Sequence, residues 1–176
     1  KYKIPIFNEG EYFPDPVEIA KLSSANDLVK NPIYIRKPDA YPLPPGVKFR
    51  AMTAMDLVPA AAIEKDVYAK AAWSIAQFKE EFAKFPKNAH YLAAEYEGEL
   101  IAYAGIFFVA DVADIHTITV VEQHRRKGIG RELLKRLIDW ARVKKAEAIM
   151  LEMRVGNDAA RPLYEQYGFS EVSKRE

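Results

Sequence analysis

The sequence predicts an α/β domain with a mixed central sheet flanked by helices. Three observations predict it. The apolar pattern switches between strand and helix periods in the order β-α-α-β-β-β-α-β-α-β, which calls for helices packed on the faces of a sheet. A Gly-x-Gly turn leads directly into a helical stripe of Leu133, Leu134, Leu137, Ile138 and Ala141. The chain has 176 residues, 49% of them apolar and 29% charged, enough for one domain with a sizeable core.

In chain order, composition divides the sequence near residue 46. Eight of the 11 prolines precede that point. Proline fixes φ and removes a ladder donor, so residues 1–46 read as a Pro-rich extension or linker. Only a brief helix from Val17 to Leu22 and a short strand at Ile33–Ile35 are expected there, with Asp39 to Gly46 as linker. Residues 47–176 form the domain. Val47 to Met52 reads as a strand. Thr53-Ala54-Met55-Asp56 has the form of a capping box, with Asp for Glu, opening a helix towards Tyr68. Ser74-Ile75-Ala76-Gln77 is a second box, opening a helix to about Phe85. Tyr91–Tyr96 and Leu100–Phe108 are strands joined through the hairpin turn Glu97-Gly98-Glu99, and Ile115–Val121 is the next strand. After the helix from about Gly130 to Val143 comes a strand from Ala148 to Val155. A short helix follows, with Pro162 in its first turn and Gly168 at its C-terminal end, then a strand from Phe169.

Composition also excludes. Lys plus Arg (26) against Asp plus Glu (25) leaves no field to draw in nucleic acid or an anionic membrane. The absence of Cys removes disulfides, thiolate zinc sites and cysteine nucleophiles. His90, His116 and His124 are too scattered for a metal site, and none is expected. No apolar run approaches the roughly 18 residues of a membrane span, and no signal-peptide core opens the chain, so a cytoplasmic location is expected. Opening at Lys1 without Met, the chain reads as a piece of something longer.

Two stretches carry chemistry. In Arg125-Arg126-Lys127-Gly128-Ile129-Gly130-Arg131, the glycines allow close backbone approach and the helix start aims N–H groups at an anion. The same residues also suit a tight turn with a solvated basic face. In the second, Glu152 interrupts an apolar strand, where it is either paired, with Arg154 for example, or poised for work. Downstream, Asn157 is placed to cap the short helix and Tyr164 to fill core or present its hydroxyl.

Together these motifs carry a resemblance. Arg125-Arg126-Lys127-Gly128-Ile129-Gly130 matches the signature [Q/R]-x-x-G-x-[G/A] of the Gcn5-related N-acetyltransferases, and the resemblance runs from about Val47 to the end. Leu151-Glu152-Met153-Arg154, Asn157, the run Leu163-Tyr164-Glu165-Gln166-Tyr167-Gly168-Phe169 and Ala72-Trp73-Ser74 with Gln77-Phe78 resemble the RimI-type ribosomal-protein alanine N-acetyltransferases. Glu122 stands where relatives often have Pro, and His124 where an aromatic is common. Relatives continue into a final strand, so the last strand of the sheet is expected to be missing.

The resemblance implies an acetyl-CoA-dependent transferase acting on the N-terminal alanine of a ribosomal protein, that of the eighteenth small-subunit protein. Glu152 would be the base and Tyr164 the acid. Ile118, Thr119 and Val120 would pair with the pantetheine arm. Arg125, Arg126, Lys127, Gly128, Ile129, Gly130 and Arg131 would cradle the pyrophosphate, and Asn157 would contact the cofactor. The alternatives are a small-amine or lysine acceptor, or a non-catalytic partner domain in transfer-RNA threonylcarbamoyl-adenosine modification. The last follows from a fainter resemblance of Tyr12-Phe13-Pro14-Asp15-Pro16 and Asn31-Pro32-Ile33-Tyr34-Ile35-Arg36-Lys37-Pro38-Asp39-Ala40 to the C-terminal tail of TsaB-type proteins. Such a tail would suit a fusion of a TsaB-type protein to a RimI-type domain.

Overall fold

The computed structural model describes residues 2–5, 42–84, 88–153 and 157–172. The helix expected at Val17–Leu22, the strand at Ile33–Ile35, and Arg154 lie outside the described residues. Seven strands, β1 (Tyr2–Pro5), β2 (Lys48–Ala51), β3 (Ala89–Tyr96), β4 (Glu99–Val109), β5 (Val112–Val120), β6 (Ala148–Leu151) and β7 (Ser170–Glu171), form one sheet in the order β2-β3-β4-β5-β6-β1-β7. Every neighbouring pair is antiparallel except β5 and β6. The helices are α1 (Leu57–Tyr68), α2 (Ile75–Lys84), α3 (Ile129–Val143) and α4 (Arg161–Gln166).

Among the described residues the expected elements form within a few residues of their expected ends, for local reasons. Thr53 N–H donates to Asp56 Oδ2 at 2.7 Å, opening the turn that leads into α1. The second box closes as the sequence implies: Ser74 N–H donates to Gln77 Oε1 at 2.8 Å and Gln77 N–H to Ser74 Oγ at 3.3 Å. Glu97 (φ 52) and Gly98 (φ 85) both take the left-handed conformation that a two-residue hairpin needs.

The sheet divides the core in two. On one face the predicted stripe of α3 is buried (Leu133, Leu134 and Leu137 at 0% exposure) against Leu92, Ile101, Ile106 and Ile149. Each such side chain contributes roughly 1.5–3 kcal/mol by leaving water. On the other face, α1 and α2 cover Tyr91, Tyr103 and Phe107 with Leu57, Ile63 and Phe78. Gly105 is required here, because a Cβ would stand 2.5 Å from Tyr91 Cε1.

Two features depart from the sequence reading. The strand expected over 148–155 ends at Leu151, leaving Glu152 and Met153 beyond it. And β1, from the segment read as an extension, is part of the sheet, antiparallel to both β6 and β7. The division at residue 46 does not anticipate that.

Candidate active site

The site begins where two parallel strands part. β5 and β6 pair only over Val112–Ile115 and Ala148–Leu151. β5 then runs on to Val120, so five residues, roughly 16 Å of strand, have no described partner on that side. Of Ile118, Thr119 and Val120, Ile118 and Val120 thus turn backbone groups to an open edge, while those of Thr119 face β4. The Thr119 side chain is buried, its Oγ1 3.0 Å from Tyr68 Oη and 3.1 Å from Thr117 Oγ1, and its backbone groups, in step with Val121 N–H on the Ile101 carbonyl, point towards β4.

At the far end of that edge the chain turns through Glu122–His124 and enters a nest. Both departures from the family pattern, Glu122 and His124, lie in this turn. Arg125 Nε donates to the Val120 carbonyl at 3.0 Å, fixing the turn to the strand. Arg126 adopts φ 60 and Gly128 φ 80. Left-handed backbone at a non-Gly residue costs on the order of 1–3 kcal/mol and persists where surrounding structure holds it. The first bond of α3 runs from Glu132 N–H to the Gly128 carbonyl, so the N–H groups of Ile129, Gly130 and Arg131 stand before it, unused by the helix. These amides, the helix dipole and the exposed Arg125, Arg126 and Lys127 make a concavity suited to an anion. Ile129 serves through its backbone alone, since its side chain is 1% exposed in the core. Arg131 Nη2 donates to Gln166 Oε1 at 3.1 Å, tying α3 to α4.

At the near end lies a cavity of about 110 Å³, lined among others by Ile118, Glu152, Asn157 and Tyr164. Four of the residues singled out in sequence therefore converge. Glu152 is exposed at this cavity rather than buried in a strand, because β6 ends one residue earlier. The cost expected of a carboxylate inside an apolar strand does not arise. Asn157 does not cap α4 through its side chain. Its carbonyl accepts Ala160 N–H at 3.0 Å, and Ala160 is the N-cap.

Tyr164 is held by the end of its own helix. Gly168 (φ 84) donates to the Glu165 carbonyl and Phe169 N–H to the Tyr164 carbonyl, a Schellman motif closed by the Tyr164–Phe169 ring contact. Burial, then the neighbouring Tyr68, pushes the Tyr164 hydroxyl up to about 12.

The other lining residues include Glu64, Tyr68, Trp73 and His116, which the sequence reading did not assign to the site. Glu64, 5% exposed, accepts the Tyr103 hydroxyl and, at 3.1 Å, the Trp73 N–H. Burial, and next Glu64, raises the Tyr103 hydroxyl well above the phenol range. The signal for Glu64 was available: it falls on the buried stripe Leu57, Ala60, Ile63 of an amphipathic helix, where a carboxylate needs a partner. A larger groove of about 650 Å³ lies between Thr53–Ile63 and Gly98–Leu100. Its Asp56 is engaged by Arg50 in a two-pronged pair (2.7 and 2.8 Å), which leaves that carboxylate no freedom for chemistry.

Fold and cleft together define an acetyltransferase domain. The chain belongs to the acetyltransferase (GNAT) family, whose model matches residues 59–169. It is 37% identical over 134 residues to N-alpha-acetyltransferase RimI of Mycobacterium tuberculosis, covering 73% of this chain and 82% of that protein. It is 38% identical over 78 residues to the ribosomal protein bS18-alanine N-acetyltransferase of Escherichia coli, covering 44% of this chain and 53% of that one. In that second case the match spans about half of the relative's length. The crystal structure of the ribosomal-protein-S18-alanine N-acetyltransferase from Escherichia coli superposes with a TM-score of 0.65 at 30% identity, over 72% of this chain and 79% of that one. No helix among the described residues is long and apolar enough to cross a membrane.

Proposed function

We propose that this domain transfers an acetyl group from acetyl-CoA to the α-amine of a protein N-terminus, with an N-terminal alanine of a ribosomal protein as acceptor. One observation carries the reading: Glu152, Tyr164, Asn157 and Ile118 line one cavity at the mouth of the β5–β6 gap, whose open edge leads to the nest at Arg126–Arg131. The names of the RimI relatives support the choice of acceptor.

In this reading the open-edge backbone groups of Ile118 and Val120 pair with the pantetheine arm as a missing strand would, while Thr119 between them holds β5 to β4. The amides from Gly128 to Arg131, with Arg125, Arg126 and Lys127, receive the pyrophosphate, and Asn157 contacts the same donor. The amine nitrogen forms a bond to the thioester carbonyl carbon, Glu152 takes a proton from that nitrogen, and the C–S bond breaks. Tyr164 faces the leaving sulfur. With its hydroxyl at about 12 and a thiol near 8.5, full proton transfer is uphill by roughly 5 kcal/mol. Tyr164 therefore acts first as a hydrogen-bond donor to the thiolate.

An α-amine, with a pKa of about 7.7–8.0, is neutral in a useful fraction near pH 7.5, whereas a lysine at about 10.4 is neutral in about one part in a thousand. A site with a carboxylate base suits the former. The test is acetyl transfer to a peptide with a free N-terminal Ala against the same peptide blocked there and carrying a free lysine. At least a roughly tenfold preference for the first is expected from those values. Mass spectrometry locates the acetyl group, and predominant lysine acetylation would overturn the assignment.

A further inference from the structure

Converting an ammonium into an amide removes two protons from one nitrogen. The first must leave before the lone pair can attack, and the second leaves once the N–C bond has formed. Glu152 accounts for one. The cavity contains a second group suited to the other.

His116 lines the same cavity as Glu152 and Tyr164. The ladder between β4 and β5 pairs Gly105 with Thr117 and then Ile106 with Ile115, so His116 is the extra residue of a β-bulge. Bulges re-aim a side chain and bend the strand that carries them. This one falls immediately after Ile115↔Leu151, the last pair before β5 and β6 part. The ring packs on Phe107, with centroids 4.2 Å apart, and the residue is exposed. Among the described residues neither of its ring nitrogens has a hydrogen-bond or ion-pair partner.

The other titratable groups around the cavity are Glu64 and Tyr68 from α1, Glu152 beyond β6 and Tyr164 from α4, with Asp114 two residues away on β5. Glu64 is committed to Tyr103 and Trp73, and Tyr68 bonds to Thr119. Tyr164 is a donor in the mechanism above. An imidazole exchanges protons near neutrality, the range in which an α-amine titrates.

We propose that His116 is the acceptor of the first proton, deprotonating the incoming ammonium ahead of attack, with Glu152 taking the second from the tetrahedral intermediate. The proposal rests on the N-terminal acetyltransferase reading. One N–H bond breaks, its electron pair stays on nitrogen, and the proton passes to a ring nitrogen of His116 and on to solvent. The freed pair forms the N–C bond. Glu152 then takes the second proton, the C–S electrons leave on sulfur, and sulfur is protonated through Tyr164. One proton is released per turnover.

The experiment is the pH profile of kcat/KM for the N-terminal Ala peptide, on the full chain, for wild type, His116→Phe and His116→Gln. Phe keeps the ring contact with Phe107, and Gln keeps polarity, so a folding failure of one leaves the other to decide. Near pH 6.5 each variant should lose at least about tenfold, the lower end of what a positioned base supplies. Near pH 9 the amine, with a pKa of about 7.7–8.0, is already neutral and the loss should shrink to within about twofold. Acetyl-CoA affinity should not change. An equal loss at both pH values would make His116 a packing or binding residue, and no loss would remove it from the mechanism; either overturns the proposal. Absence of transfer by the wild-type chain at every pH would instead overturn the function on which it rests.

Discussion

The two ends of the β5–β6 gap are built differently. The nest and the strand edge leading to it come from one continuous stretch, Ile118 to Arg131, and their geometry is set by bonds a few residues long, such as Arg125 to the Val120 carbonyl. The cavity draws on Glu64, Tyr68 and Trp73 from α1 and the turns after it, His116 from β5, Glu152 beyond β6 and Tyr164 from α4. One end is a local motif held by short-range bonds. The other exists only once the sheet and both helical layers have packed. In the proposed function, binding chemistry is thus encoded locally, and reaction chemistry by tertiary assembly.

Four substitutions test that contrast and the fold around it. The largest effect is expected of Glu152→Gln: kcat for the N-terminal Ala peptide should fall on the order of 10²–10⁴-fold, with acetyl-CoA affinity little changed. If the carboxylate is only structural, melting temperature will fall instead and kcat will stay within a fewfold.

Gly128→Val should do the reverse. The fold should survive while acetyl-CoA no longer raises the melting temperature, forfeiting about 2.7 kcal/mol of linkage at a hundredfold excess over Kd. A Cβ-branched residue is strained at φ 80. An undiminished shift in a scanning-fluorimetry titration would place the pyrophosphate elsewhere.

A smaller effect is expected at Asp56, which precedes the helix carrying Glu64 and Tyr68. Arg50 above all, then Thr53, holds its carboxyl down to about 2, against the burial that raises it. A depressed carboxyl stabilises the fold above its unfolded value of 3.8, and that stability is lost as pH falls towards 2. Asp56→Asn should cost on the order of 1–2 kcal/mol at pH 7, allowing for the partial exposure of Arg50, and converge with wild type in acid. Urea midpoints at both pH values will show whether it does.

The smallest concerns Tyr91. Its buried hydroxyl has no hydrogen-bond partner among the described residues, so Tyr91→Phe should leave the melting temperature unchanged or slightly raised. A marked loss would reveal a partner for that oxygen.

The same contrast governs how much could be read from the residues. Capping boxes, the Glu97-Gly98 turn, the α3 stripe and the Gly168 cap are short-range patterns, and each formed where its sequence implies. The convergence of Glu152 with Tyr164 and Asn157 was legible only through the family resemblance. Glu64 carried a signal in its place on a buried stripe, but its partners, Tyr103 and the Trp73 amide, come from other elements and only packing brings them to it. His116 escaped because a bulge depends on the register between two strands, which one strand's pattern does not contain. The place of β1 escaped for a simpler reason: nothing in Tyr2–Pro5 names the strand it will meet.

That meeting has a consequence in time. Tyr2 pairs with Leu151, 149 positions later, and among the described residues β7 pairs only with β1. At roughly 5–20 residues per second of synthesis, the first strand waits about 7–30 seconds before its partner exists. Closure across so long a loop is slow in itself, and until it happens the edge of β6 is a template for pairing with other chains. Of the described pairings, that between β1 and β7 is the last that synthesis makes possible, so β7 can join the sheet only after every other strand has been made.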